Sequence, residues 1–509
     1  MIFRKSNMII HTSRYKSLLR MCERGLFSRL TGFVSVCIIC SISLASCADV
    51  PPNRFPVVTQ PQQNTTTSTA PGETTETTTD SGANEPIVLK VAAPISSTTA
   101  NYLARLYAAK QASSLGVGVT GSNIDLDALD LYQPTFSVEI LQTPSSGVTL
   151  DTIEQWKEKD FIPDILYTDA LHVLHDSGDI LPLSNLVASN SLYLPTNIDP
   201  SMLASCSIDE KLYGIPYAAS AQVLYINMDV LEEAGIEGVP YQIDLDMFLE
   251  ISQGVRDLTT KDTPLDELNL AFFRASELLP FLPASFSAES GWFMFSGTQF
   301  DFDAPAFSDA VMFLQSYVED GYSLESLSPD DQISAFASED PRLSNRVAMW
   351  VGSTQEISFW TTNTGYELSI AQIPPNTGTT NSPPALTVFP LCISSSTQHA
   401  QLACDFASFL ALDPDAILLT ARLEQNEGYL PVVSSVTVWN YIMEQQIFGA
   451  EMLQIKQELD SAYFNPITNH DPDYRLINYI LEQYSDLLLD AEADLETTIP
   501  LLSSARLTT

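Results

Sequence analysis

Basic residues are scarce in this chain. Its 509 residues carry 23 Lys+Arg against 63 Asp+Glu, a formal charge of −40. Phosphate binding needs clustered Lys and Arg, so nucleic acid is excluded as a partner. Charge-driven adsorption to an anionic membrane is excluded for the same reason. Cysteine is sparse, with 7 in all, and a chain this long buries a large core without disulfide staples. The Gly-x-Ser-x-Gly elbow of common hydrolases is absent, and so is a Gly-rich phosphate cradle. Metal signals fall short too. His172 and His175 lie beside Asp169, Asp176 and Asp179, but no Cys or third His joins them, and a solvated helix face explains them. Asp125, Asp127 and Asp130 lack the Gly and Glu that complete a calcium loop. A carboxylate pair for glycoside hydrolysis can be drawn almost anywhere in so acidic a chain, which makes it uninformative. No cofactor and no metal are expected.

What is present is globular, with 45% apolar and 17% charged residues. At roughly 100–200 residues per domain there is room for two to four domains or lobes. The charge is uneven. Residues 1–46 hold seven basic residues and one acid, Glu23; the rest hold 16 basic and 62 acidic. No charge occurs from Thr31 to Ala48, and residues 33–44 are apolar, the order of a secretory signal. The run is barely long enough for a membrane anchor. Leu44-Ala45-Ser46-Cys47 at its end resembles the bacterial lipobox. That resemblance implies a signal of residues 1–46, cleavage before Cys47, acylation of its thiol, and anchoring in the bilayer on the extracellular face of the cell membrane. Met21 opens a more ordinary signal, so translation is expected to start there, with residues 1–20 a mis-called extension. From Ala48 to Pro86 there are ten Thr, six Pro and a single basic residue, Arg54. Residues 47–86 therefore read as a lipidated Cys and a disordered tether, with a root-mean-square span of roughly 35 Å. Among Cys206, Cys392 and Cys404 not all can pair; buried free thiols are expected over a Cys392–Cys404 bridge.

The body alternates strands and helices, which predicts an α/β fold with βαβ units. Residues 87–93, 136–141 and 164–167 read as strands, 100–112 and 152–159 as helices. Ser308 is placed to cap a helix ending before Gly321, Thr397 another ending before Pro414, and residues 475–489 carry a helical apolar stripe. From Leu368 to Cys404 there is no charged residue apart from what His399 carries. Its prolines exclude a membrane helix, and two apolar strands joined by a loop, crossing between lobes, fit the pattern.

Asp209-Glu210-Lys211-Leu212-Tyr213-Gly214-Ile215-Pro216-Tyr217 resembles the Asp-Gly-Lys-x-Tyr-Gly-Ile-Pro segment of extracellular solute-binding proteins of carbohydrate ABC importers, the maltodextrin-binding type. Glu210 stands where Gly is usual. Tyr225-Ile226-Asn227-Met228-Asp229, with Gly235 beyond, is similar to the family's Tyr-Asn-Lys-Asp segment. Asp303-Ala304-Pro305, Ala348-Met349-Trp350-Val351-Gly352-Ser353, Ile393-Ser394 with its following helix, and Gly428-Tyr429-Leu430-Pro431 continue the family's order.

The resemblance implies a two-lobed periplasmic-binding-protein-like fold with a cleft and a hinge of two or three crossing segments. One lobe would hold 87–218 and 374–425, the other 219–373 and 426–509. The lobes would close on a solute, most simply a sugar or oligosaccharide, and a monomer would deliver it to the membrane permease of the importer without catalysis. Cleft residues would be Ser97, Thr98, Thr168, Asp169, Tyr217, Gln222, Glu277, Trp292, Ser353, Thr354, Trp360 and Tyr429. Each Trp also fits a core position. Thr354 stands where the family often has a stacking Trp. A peptide, polyol or charged solute is the alternative ligand, and a tethered glycan-active enzyme the alternative class.

Overall fold

The computed structural model describes residues 86–505 apart from 113–119, 122, 145–146, 160, 191–192, 194–196, 261, 288–289, 296–299, 337–338, 377–382, 425–427 and 470–473. The expected signal, Cys47 and the tether up to residue 85 lie outside the described residues. Within them, no helix is long and apolar enough to cross a membrane.

Among the described residues, nine strands form one mixed sheet: β1 Ile87–Ala93, β2 Phe136–Gln142, β3 Ile165–Tyr167, β4 Gly214–Asn227, β5 Leu270–Phe272, β6 Val347–Ser353, β7 Leu368–Ala371, β8 Ala385–Ile393 and β9 Tyr463–Phe464. Their order is β2-β1-β3-β8-β4-β6-β5, with β7 also on β4 and β9 on β8. β1 is parallel to β2 and β3, the pairing that the crossover helix Ser97–Gln111 and the helix Leu150–Glu158 permit.

The long strand β4 joins the two lobes. Its first half pairs antiparallel with β8, from Gly214 against Cys392 to Ala221 against Leu386. Its second half pairs with β6, from Gln222 against Ser353 to Ile226 against Met349, and with β7 on the other side. Side chains alternate along it, and both faces are covered. Val223 and Tyr225 enter one core with Leu89, Trp350 and Phe406; Leu224 and Ile226 enter a second core with Phe248, Phe307 and Met349. Asn227 ends the strand. Its side chain accepts from the N–H of Asp229 and Val230 and donates to the Val347 carbonyl, which caps the next helix and fixes β6 at once. The uncharged stretch supplies β7 and β8, so the chain returns between lobes along the same edge of β4.

β4 contains a bulge. Pro390 pairs with Pro216 and Phe389 with Ala218, so Tyr217 is the extra residue. Facing prolines offer no N–H to each other, which favours a break in the ladder here. Gly214 lets β8 approach: a Cβ there would sit 2.5 Å from the Pro390 Cβ. Glu210 has φ 61, so the hairpin turn holds a left-handed residue where glycine would be unstrained.

Two helix starts differ from the sequence expectation. The helix Pro305–Glu319 begins three residues before Ser308, because Pro305 with its fixed φ occupies the first turn. Thr397 is not the cap of Ala400–Leu412; its hydroxyl donates to Asp164 and accepts from the His399 N–H. Asp164 also accepts from the Lys90 N–H, so it ties β1, β3 and the end of β8 together. Cys206, Cys392 and Cys404 are all free and buried, and no Cys392–Cys404 bridge forms.

Candidate functional site

A cavity of about 80 Å³ opens beside the bulge. Pro94, Tyr167, Tyr217, Leu410, Ala421 and Tyr429 are among its lining residues. Each comes from a different constraint. Pro94 follows β1, and Tyr167 ends β3. The bulge turns Tyr217 toward the cavity rather than leaving it in the ladder's alternation. Tyr429 sits in a loop held against β4: Ala219 and Leu430 exchange backbone hydrogen bonds of 3.1 and 2.8 Å. Gly428 makes that contact possible. It has φ +80, and a Cβ would lie 1.8 Å from the Thr354 carbonyl oxygen.

The aromatic rings interlock. Tyr167 and Tyr217 meet edge to face at 5.7 Å, and Tyr167 stacks on Phe389 at 5.5 Å. Burial pushes the Tyr167 hydroxyl well above its ordinary range, helped by a hydrogen bond with Tyr429 and by the negative charge of Asp169. Burial likewise raises Tyr217, with Glu424 adding to it. Glu424 is fixed by Ser96, whose N–H and hydroxyl donate to Oε1 at 2.9 and 2.8 Å. Ser96 also caps the helix that starts at Ser97. The site is thus a pocket of three tyrosine rings among aliphatic side chains, among them Leu410, Ile417 and Ile442.

Of the residues expected from the sequence, Tyr217 and Tyr429 line the cavity; Asp169 acts on the Tyr167 hydroxyl through its charge, and Ser97 and Thr98 are exposed in the first turn of the helix after Pro94. Thr168 does not join them. It is 0% exposed, and its hydroxyl donates to the Val148 carbonyl and accepts from the Ala170 N–H, which shapes the loop after β3. Thr354 is buried, and its hydroxyl accepts from the Ala221 N–H; the Ser353 hydroxyl accepts from the Gln355 N–H. Both brace the crossing strand and its neighbour loop. Gln222 lines a separate void of about 10 Å³ with Tyr241, Gln372 and Glu458. Trp292 is 5% exposed and packs on Phe281 at 4.9 Å in the second core. Trp360 is 2% exposed, its indole N–H donates to Glu356, and Arg342 lies over its ring at 4.7 Å. Both tryptophans are core residues, because strand and helix packing leave neither face open to a ligand. Tyr167 also lines the cavity and was not among the expected residues; it could have been found as the last residue of β3, since strand ends face such sites.

Glu277 lies apart, beyond the end of β5. Burial lifts its carboxyl to about 8 and Glu325 adds to this, while Arg342, Arg274 and the Val351 N–H oppose it. Its Oε2 is buried with no hydrogen-bond partner. A carboxyl whose folded value is raised favours folding when protonated. Stability from this group is therefore full below its ordinary value of 4.5 and is lost as pH rises through about 8. Glu277→Gln is expected to match the parent near pH 4 and to exceed it by about 1–2 kcal/mol at pH 9. Urea unfolding at both pH values checks this, and parallel pH profiles would refute it.

A two-lobed α/β fold, a single long strand running through both lobes and a pocket at that crossing define a solute-binding protein. The sequence pattern of bacterial extracellular solute-binding proteins matches residues 137–440, and the chain belongs to that family. No curated protein matches it in sequence. Solved structures share its fold. An ABC substrate-binding protein from Listeria monocytogenes, in complex with cycloalternan, aligns at 12% identity and TM-score 0.60 over 83% of this chain and 98% of that one. The cyclic α-maltosyl-1,6-maltose binding protein from Arthrobacter globiformis aligns at 16% and 0.60, over 83% and 98%. UgpB from Mycobacterium tuberculosis, in complex with glycerophosphocholine, aligns at 16% and 0.56, over 84% and 98%.

Proposed function

We propose that the protein is the non-catalytic substrate-binding subunit of an ABC importer, and that it captures a mono- or oligosaccharide by lobe closure and presents it to a membrane permease. The observation that carries this reading is the tyrosine pocket at the strand that joins the lobes. Sugars have apolar C–H faces and hydroxyl rims. Aromatic faces from Tyr217 and Tyr429 suit the first, and Asp169 with Ser97 and Thr98 suits the second. Two of the structural neighbours are described with cyclic saccharides. The lobes of the moving unit are taken as 87–218 with 374–425, and 219–373 with 426–509; the first boundary falls just after the bulge, and β4 changes partners a little further on, between Ala221 and Gln222.

Calorimetric titration with glucose, maltose and a cyclic maltodextrin tests the reading. At least one is expected to bind at micromolar strength, about 8 kcal/mol, with no product formed over hours. Turnover would favour the enzyme alternative, and no binding by any sugar would remove the carbohydrate assignment.

Export and acylation at Cys47 complete the reading. The acidic body has nothing else to hold it at an anionic surface, and two acyl chains give stable attachment where one does not. Cys47→Ala is expected to leave an uncleaved precursor without lipid label; normal labelling of that variant would contradict it.

A further inference from the structure

We infer that the captured solute carries a short alkyl group, as an alkyl glycoside or alkyl ether of a saccharide, and that this group fills the cavity beside the bulge. The proposal rests on the saccharide reading and narrows the solute's class. The lining holds no charged residue among those described. Its aliphatic part comes from three helices: Leu410 from Ala400–Leu412, Ile417 and Ala421 from Pro414–Glu424, and Ile442 from Val436–Met443. Ile417 and Ala421 stand four apart, so they share one helix face. Ala218 and Ala421 end in single methyl groups, which leaves room that larger side chains would take up.

The polar groups of the lining are mostly spent within the protein. The Thr420 hydroxyl donates to the Ala416 carbonyl at 2.9 Å, and the Tyr167 and Tyr429 side chains hydrogen-bond each other. The Leu430 backbone pairs with Ala219. A hydroxyl or a charge entering here gives up its bonds to water and finds few replacements, which disfavours it. Water itself is held weakly for the same reason, since a buried water needs two to four polar partners. An alkyl group loses no hydrogen bond, and each carbon it buries strengthens binding by about three- to fourfold. Size narrows the group further. A cavity of about 150 Å³ takes benzene. This one, about 80 Å³, suits a chain of a few carbons. Its walls do not collapse to fill it, because Tyr167 is packed on Tyr217 and Phe389 and the 428–431 loop is pinned to β4. The cavity opens beside the strand that joins the lobes, where the solute binds under the saccharide reading, so the solute's own substituent is the group placed to enter it.

The test is calorimetry on the protein with matched ligands: glucose and maltose against their methyl, ethyl, propyl and butyl glycosides in both anomers, with propan-1-ol as an alkyl group that carries no sugar. The propyl glycoside of at least one sugar is expected to bind about tenfold or more tightly than the free sugar, in steps of about three- to fourfold per carbon that level off once the cavity is full. The heat-capacity change of binding should grow more negative along the series. Ala421→Leu, checked for folding by circular dichroism, should narrow the propyl-to-free ratio to below about threefold, because the larger side chain occupies the space. The chain-length series on the parent protein stands on its own if that variant does not fold. Equal binding along the series overturns the alkyl claim and leaves the saccharide reading standing. No binding by any sugar, with or without an alkyl group, overturns the saccharide reading and this proposal with it, whether or not propan-1-ol binds.

Discussion

Gly428→Ala is expected to destabilise the protein by about 2–5 kcal/mol and to weaken solute binding by tenfold or more. Two costs combine. An alanine at φ +80 is strained by about 1–3 kcal/mol, and its Cβ would fall 1.8 Å from the Thr354 carbonyl, a backbone atom that a rotamer change cannot move. Relief requires the 428–431 loop to lift from β4. That breaks the Ala219–Leu430 pair and takes Tyr429 out of the pocket. Stability and binding should therefore fall together. Chemical denaturation and calorimetry on the same preparation check both. A variant as stable as the parent would show that the loop is not clamped in this way.

Trp360→Ala separates the two effects. It is expected to cost about 3–5 kcal/mol of stability while the folded protein keeps its solute affinity within about twofold. The indole lies 5.1 Å from Trp350, 6.2 Å from Tyr225 and 4.9 Å from Phe359, ring centre to ring centre. Its removal leaves a large void. It also strips the cover from Arg342 and the donor from Glu356. A loss of affinity without a loss of stability would return Trp360 to the list of ligand platforms.

These two residues show what the sequence could and could not convey. Strands were legible wherever an apolar run stood between polar neighbours: β1 spans Ile87–Ala93 as expected, and β8 appears within the uncharged stretch. Helix starts were less legible. A Ser or Thr near the start of an apolar stripe suggests a cap, but Pro305 took the first turn ahead of Ser308, and Thr397 was drawn to Asp164, a partner 233 residues away in the chain. Composition cannot show such distant partners. The site was legible in part for the same reason. Tyr217 and Tyr429 sit in short motifs and could be named. What orients them is a bulge set by two prolines far apart in sequence, and a glycine packed against another loop's carbonyl. Glu424 is held by Ser96, 328 residues earlier in the chain, a pairing that no local pattern announces. The tryptophans misled because an aromatic residue fits a core and a sugar platform equally well until its neighbours are known.

The central claim is that a solute binds at the crossing strand and draws the two lobes together. Small-angle X-ray scattering of the protein, without saccharide and at a saturating concentration of whichever sugar calorimetry shows to bind, tests it most directly. A smaller radius of gyration with sugar is the predicted result, and Tyr429→Ala should need a correspondingly higher sugar concentration to reach it. An unchanged radius with the sugar demonstrably bound would contradict closure.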